Sequence, residues 1–254
     1  MLRSFAGGRL VGVQVGTAEP RVLALHGWGR THQDLLGVLE PGQDRPLDAI
    51  ALDLPGFGAA APPPAAWGSR QYAELVAEVL PTMAAPVVVL GHSFGGRVGI
   101  ELAVLRPELV GGLVLTGVPL SGSTRRPAWR FRVARRLAAL GVVSAERMDA
   151  LRQRFGSADY RTATGVMREV LVRVVNERYE EALAATRCPV DLVWGEDDQI
   201  APVEAARSVA QLLGARARLI ELPGAGHMTP LSEPGSLRAA VLERLADRPG
   251  RELP

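Results

Sequence analysis

Ser93, Asp198 and His227 are the residues of this chain whose types and order could together make an alcohol nucleophilic. A serine hydroxyl attacks a carbonyl only when a base removes its proton, and an imidazole serves as that base when an acid fixes its tautomer. Ser93 lies in Gly91-His92-Ser93-Phe94-Gly95, directly after the apolar run Val87-Val88-Val89-Leu90 and at the start of a segment with helical spacing. A G-x-S-x-G at a strand-to-helix turn holds its serine out on a strained, exposed corner. In so tight a turn, side chains at positions 91 and 95 would collide with neighbouring backbone, which is the expected reason for both glycines.

Four histidines are available as the base: His26, His32, His92 and His227. His227 sits in the loop Gly224-Ala225-Gly226-His227-Met228, just after an apolar run ending at Leu222. The acid is expected after the run Val190 to Trp194, where Gly195-Glu196-Asp197-Asp198 offers three carboxylates. Asp198 is the chosen acid and Asp197 the reserve, with Glu196 and Asp197 otherwise read as charge at a helix start. The order Ser, Asp, His is the one expected when such a triad sits on an α/β sheet. Attack on a carbonyl builds charge on oxygen, and two N–H donors must meet it. Phe94 N–H, next to the nucleophile, supplies one; Trp28 N–H, in His26-Gly27-Trp28-Gly29, is expected to supply the other. Gly27 would let that loop turn inward, and His26 would support it by hydrogen bonding rather than carry protons. His92 is expected to pack beside the serine, and His32 to lie at the surface or the pocket rim.

The elements that must hold these groups alternate along the chain. Strands are expected near Leu10–Val15, Val22–Leu25, Ala49–Leu52, Val87–Leu90, Leu113–Thr116, Val190–Trp194 and Arg218–Leu222. The nearly continuous apolar runs of the later ones suit parallel strands covered on both faces. Helical spacing predicts helices over Tyr72–Met83, Phe94–Leu105, Val203–Leu213 and Leu237–Leu245. Repeated β-α units imply an α/β fold with a mainly parallel sheet, whose reactive groups gather beyond the carboxyl ends of the strands. Between about Pro119 and Arg187 the alternation stops and only helical patterns remain, with Ser157 and Asp159 as a helix start before Val166 to Val174. That stretch reads as a helical cap over the strand ends, so that residues 1–118 and 188–254 form the core domain and 119–187 the insertion.

Composition narrows the rest. At 254 residues and 47% hydrophobic, the chain can bury one large core. No apolar run reaches the roughly 18 residues needed to span a bilayer, and the first residues lack a signal-peptide stretch, so a cytoplasmic protein without membrane partners is expected. Cys188 is the single cysteine, which excludes an internal disulfide and suggests a small buried hydrophobe. All 29 basic residues are arginine. Residues 124–187 carry 14 arginines against seven acids; with few aromatics and no nucleic-acid motif, they read as solvated helix faces rather than a nucleic-acid surface. Positive potential favouring an anionic substrate is the milder alternative.

Taken together, His26-Gly27-Trp28-Gly29, Asp53-Leu54-Pro55-Gly56-Phe57-Gly58, Gly91 to Gly96, Gly195 to Asp198 with Pro202, and Gly226-His227 resemble the α/β-hydrolase superfamily, in its group of capped serine hydrolases. The matches run from residue 26 to residue 227. The resemblance implies an eight-stranded, mostly parallel sheet flanked by helices, an inserted helical cap, and a structural role for Asp53–Gly58 near the site entrance. Members that displace halide or open epoxides carry aspartate at the elbow, and Ser93 argues against both.

The chemistry expected is cleavage of a carboxylic ester of a small to medium molecule through an acyl-enzyme, with no cofactor and no metal. The alternative is hydrolysis or lyase chemistry at a carbon–carbon bond, of the meta-cleavage-product or menaquinone-synthesis type, which the run Ser93 to Arg97 resembles. A non-catalytic ligand-binding member of the fold is a third reading. Arg97 either binds a substrate carboxylate or lies on the helix away from the pocket. Trp129, Phe131, Met148, Phe155, Tyr160, Met167 and Met228 are candidate pocket residues. Oligomeric state is left open by the sequence.

Overall fold

The computed structural model describes residues 1–40, 42, 44–120 and 158–247. Eight strands form one sheet: β1 (Leu2–Phe5), β2 (Leu10–Val15), β3 (Val22–Leu25), β4 (Ala49–Asp53), β5 (Val87–His92), β6 (Val110–Thr116), β7 (Val190–Gly195) and β8 (Ala217–Leu222). Their order across the sheet is β1-β2-β4-β3-β5-β6-β7-β8. β1 and β2 pair antiparallel with their neighbours, and every pairing from β4 to β8 is parallel.

Side chains alternate faces along a strand, and the two faces of this sheet feed two cores. Leu23 and Leu25 of β3 and Val87 and Val89 of β5 enter one cluster. Val22, Ala24, Val88 and Leu90 enter the other. Both faces being apolar, these strands have no polar side to present to water, which is why their sequences read as unbroken apolar runs. The helices follow in chain order: α1 (Leu36–Leu39), α2 (Ser69–Ala77), α3 (Phe94–Leu105), α4 (Ala158–Thr162), α5 (Gly165–Val174), α6 (Glu180–Ala185), α7 (Val203–Leu213), α8 (Thr229–Ser232) and α9 (Pro234–Ala246). Residues of α2, α3 and α7 pack in the first cluster, those of α1 and α9 in the second.

Three local expectations need correction. β1 was not anticipated, because its residues are mostly exposed at the sheet edge and carry no apolar run. The helix expected over Tyr72–Met83 is α2, which ends at Ala77 and gives way to a 3-10 turn over Leu80–Thr82; Pro81 has no N–H to continue the α-helical ladder. The helix expected to run from Asp159 through Val174 is two helices, because the chain leaves α4 at Thr162 and re-enters α5 at Gly165, whose φ is +52°. Ser157, Trp129, Phe131, Met148 and Phe155 lie outside the described residues. Between β6 and β7, the described residues form helices and no strand.

Candidate active site

Register brings the reactive loops to one edge. Leu25 pairs with Leu52 on one side and Gly91 on the other, and His92 pairs with Thr116. The loops that begin at His26, Ser93 and Gly117 therefore emerge side by side at the carboxyl ends of β3, β5 and β6. β7 and β8 end level with each other, Gly195 opposite Leu222, so the Asp198 and His227 loops leave the same edge.

Ser93 has φ +49° and ψ −111°, a region that costs a non-glycine residue about 1–3 kcal/mol. The surroundings fix it there. Ser93 N–H donates to Thr116 O at 2.9 Å, and Gly95 N–H donates to His26 O at 2.9 Å. A Cβ on Gly91 would lie 2.5 Å from Gly96 Cα, and one on Gly95 would lie 2.6 Å from His26 O and closer still to the Leu25 carbonyl. The elbow packs directly against the loop after β3, and only glycine leaves room for it.

His227 and Asp198 are joined. The imidazole Nδ1–H donates to Asp198 Oδ2 at 2.8 Å, while Asp198 Oδ1 accepts the N–H groups of Ile200 and Ala201, each at 2.8 Å. All of this leaves the Asp198 carboxylate buried, whereas Glu196 and Asp197 are exposed. The structure thus brings Asp198, rather than Asp197, to the histidine. With Nδ1 donating, Nε2 is the free basic nitrogen. Thr116 and Gly117 touch both sides of the pair: Thr116 O holds Ser93, and a Cβ on Gly117 would lie 3.1 Å from the His227 ring. The Ser93 hydroxyl is partly exposed and makes no hydrogen bond among the described residues.

The loop after β3 is held by its histidine. His26 Nδ1–H donates to Gly27 O at 2.7 Å, and Nε2 accepts Leu54 N–H at 3.0 Å. Both nitrogens are satisfied in the neutral ring, and burial pushes its pKa down to about 4. Both ring nitrogens of His26 thus bond to the main chain, at Gly27 and Leu54. Gly27 has a different reason from the turn that was anticipated: a Cβ there would lie 2.8 Å from His92 Nδ1 and 3.4 Å from Ser93 Cβ. Close approach, rather than a positive φ, requires the glycine. The positive φ falls on Gly29, at +67°. Among the described residues, neither Trp28 N–H nor Phe94 N–H has a protein acceptor.

Aromatic side chains are concentrated around these two amides. Trp28 meets Phe57 at 4.9 Å and Phe94 at 5.5 Å between ring centroids, and Phe94 meets Tyr72 at 5.0 Å. These edge-to-face contacts make a stiff apolar wall beside Ser93.

His32 is not at the surface or the rim. It is buried, and its ring Nδ1 lies 2.8 Å from Asp53 Oδ1. Burial alone would raise the Asp53 pKa, but the N–H groups of His32 and Ala59, together with the His32 ring, outweigh it and hold the carboxyl low. This pairing, unforeseen from sequence, ties the Asp53–Gly58 stretch under the loop after β3.

Arg97 is buried on α3. Its guanidinium donates to Val174 O at 2.5 Å and Pro119 O at 3.3 Å, and stacks over the Tyr179 ring at 5.4 Å. It ties α3 to Val174 and Pro119 in the segment between β6 and β7, while its Nε is buried with no partner among the described residues. The same seam is closed by Glu177, which accepts Ser69 N–H, and by Tyr179, whose hydroxyl lies 2.7 Å from Ser69 Oγ. Met167 reaches Gly56, where a Cβ would overlap its sulfur. Tyr160 is buried in the first core cluster, and Met228 is partly exposed at the start of α8. Cys188 is buried, which pushes its thiol up to about 11. Among the described residues, no group of three or more His, Cys, Asp or Glu is placed to hold a metal ion, and no helix is long and apolar enough to cross a membrane.

A strained serine between a strand and a helix, an Asp–His pair on the same sheet edge and two amides without an acceptor among the described residues define a class, and comparison with known proteins places the chain in it. Residues 22–240 match the Alpha/beta hydrolase family; the chain belongs to that family. It is 30% identical, over 91% of its length, to the dihydrolipoyllysine-residue acetyltransferase component of the acetoin cleaving system of Cupriavidus necator, of which it spans 64%. It is 29% identical, over 85% of its length and 94% of the relative's, to pimeloyl-[acyl-carrier protein] methyl ester esterase of Aromatoleum aromaticum. Among solved structures, a serine hydrolase involved in carbazole degradation has a TM-score of 0.69 at 23% identity, covering 98% of this chain and 99% of that one. A likeness at that identity shows the fold.

Proposed function

We propose that the chain is a serine esterase that cleaves a small to medium carboxylic ester through an acyl-enzyme. The observation that carries this reading is the Asp198–His227 hydrogen bond on the same strand edge as a serine held at φ +49°. Ser93 Oγ attacks the carbonyl carbon as His227 Nε2 takes its proton, and Asp198 steadies the imidazolium. The oxyanion is received by Trp28 N–H and Phe94 N–H. His227 then protonates the departing alcohol, and water, activated by the same nitrogen, releases the acid and restores Ser93.

The segment 119–187 is read as the cap that covers this edge, tied to α3 by Arg97. The Trp28–Phe57–Phe94 wall favours an apolar acyl chain over a charged one. Support also comes from the relative named as a methyl ester esterase, matched over most of its length. The ester reading is favoured over the carbon–carbon alternative because two nitrogens of Arg97, the residue that alternative would use for a substrate carboxylate, donate to backbone carbonyls.

A substrate panel tests the reading. The wild-type protein is expected to hydrolyse p-nitrophenyl butyrate and octanoate with saturation kinetics and to leave a vinylogous diketone of the meta-cleavage type unchanged. Turnover of the diketone without turnover of either ester would overturn the ester assignment.

A further inference from the structure

Between the elbow and the histidine loop lies a buried imidazole for which the proposed mechanism has no use. The His92 side chain is 1% exposed, and its Nε2 lies 3.0 Å from the main-chain oxygen of His227. Only an N–H can serve a carbonyl, so Nε2 carries the proton and Nδ1 is left with a bare lone pair. That nitrogen is buried and has no partner among the described residues. An aliphatic side chain would avoid leaving a polar atom unpaired, so the imidazole has to be explained by what its other nitrogen does.

We propose that His92 is the positioning residue for His227, its Nε2–H holding the His227 carbonyl so that the free Nε2 of His227 faces Ser93. This rests on the esterase reading of Ser93 and His227, and it assigns a task which that reading leaves open.

Three observations carry it. First, the bond falls on the main chain of the residue that bears the base, whose ring is fixed separately by Asp198. Gly224 and Gly226 precede His227, and among the described residues no backbone N–H reaches the His227 carbonyl. Second, His92 precedes Ser93 directly, so the bond couples the base to the nucleophile's own backbone. The two imidazole rings are 5.1 Å apart at 50°. Third, the opposite edge of the His92 ring supports Gly27, where a Cβ would come within 2.8 Å of Nδ1. One rigid ring thus spaces the elbow, the oxyanion loop and the histidine loop. Burial, with the neighbouring His227, keeps the ring neutral, its pKa down to about 4.

The test compares His92→Leu, which removes the donor, with His92→Gln, whose amide nitrogen can reach the same carbonyl. His92→Met serves if the leucine variant does not fold. His92→Leu is expected to lower kcat for p-nitrophenyl butyrate about 10- to 100-fold with KM within about twofold, as a displaced catalytic group does. His92→Gln is expected to recover most of that loss. A second readout does not depend on turnover: the downfield proton NMR signal of the His227 Nδ1–H on Asp198 is expected in the wild type and in His92→Gln, and shifted or broadened in His92→Leu. A leucine variant with wild-type kcat and an unmoved signal overturns the proposal, as does a folded glutamine variant no better than leucine. If the wild-type protein shows the signal but no Ser93-dependent turnover, the esterase reading fails, and the signal alone then decides on His92.

Discussion

Ser93→Ala is expected to lower kcat for a short p-nitrophenyl ester by about a millionfold, the scale at which triad members act as a unit. The loss falls on kcat because the hydroxyl forms its bond only as the reaction proceeds, while the aromatic wall of Trp28, Phe57 and Phe94 still binds the acyl chain. Alanine keeps a Cβ at φ +49°, so the strain of the elbow is unchanged and its partners, Ser93 N–H on Thr116 O and Gly95 N–H on His26 O, are backbone groups that survive. Thermal unfolding should therefore match the wild type. A variant that unfolds earlier and retains turnover at low temperature would show that Ser93 is structural.

Asp198→Asn is expected to lower kcat by about ten-thousandfold. The reasoning is specific to the geometry. Oδ1 of Asp198 accepts two loop N–H groups, from Ile200 and Ala201, so the asparagine must keep its oxygen on that side. Its NH2 then points at His227, where the carboxylate oxygen stood 2.8 Å from Nδ1. A donor facing Nδ1 forces the proton onto Nε2, which can no longer take one from Ser93. Asp197→Asn, a change at an exposed side chain, is expected to leave kcat within about twofold. Equal effects at the two positions, measured as kcat on the same ester, would remove Asp198 from the mechanism.

Much of this arrangement was legible in the chain because it depends on local sequence. Strands covered on both faces must be apolar throughout, and β3 and the Val87–Leu90 run of β5 show it most plainly. The elbow declares itself through Gly91 and Gly95, whose missing side chains are demanded by backbone only a few residues away or across one strand. Asp198 follows a strand at a fixed short distance, and that offset brings its carboxylate to His227. What sequence could not show depends on contacts between distant segments. His32 meets Asp53, Arg97 meets Val174, and His92 meets the His227 carbonyl. Each is a polar side chain whose partner is set by packing, with no periodicity to announce it. Gly117, which makes room for the imidazole, was visible only as a glycine after a strand. β1 escaped because an exposed edge strand has no need of an apolar pattern.

The central claim is that one serine of this chain is activated. Treating the wild-type protein with a fluorophosphonate probe and mapping the adduct by peptide mass spectrometry tests it most directly. A single phosphonylated site at Ser93, formed in step with loss of ester turnover and absent from Asp198→Asn on the same timescale, is the expected result. Labelling at any other residue, or full loss of turnover with Ser93 unmodified, would contradict it.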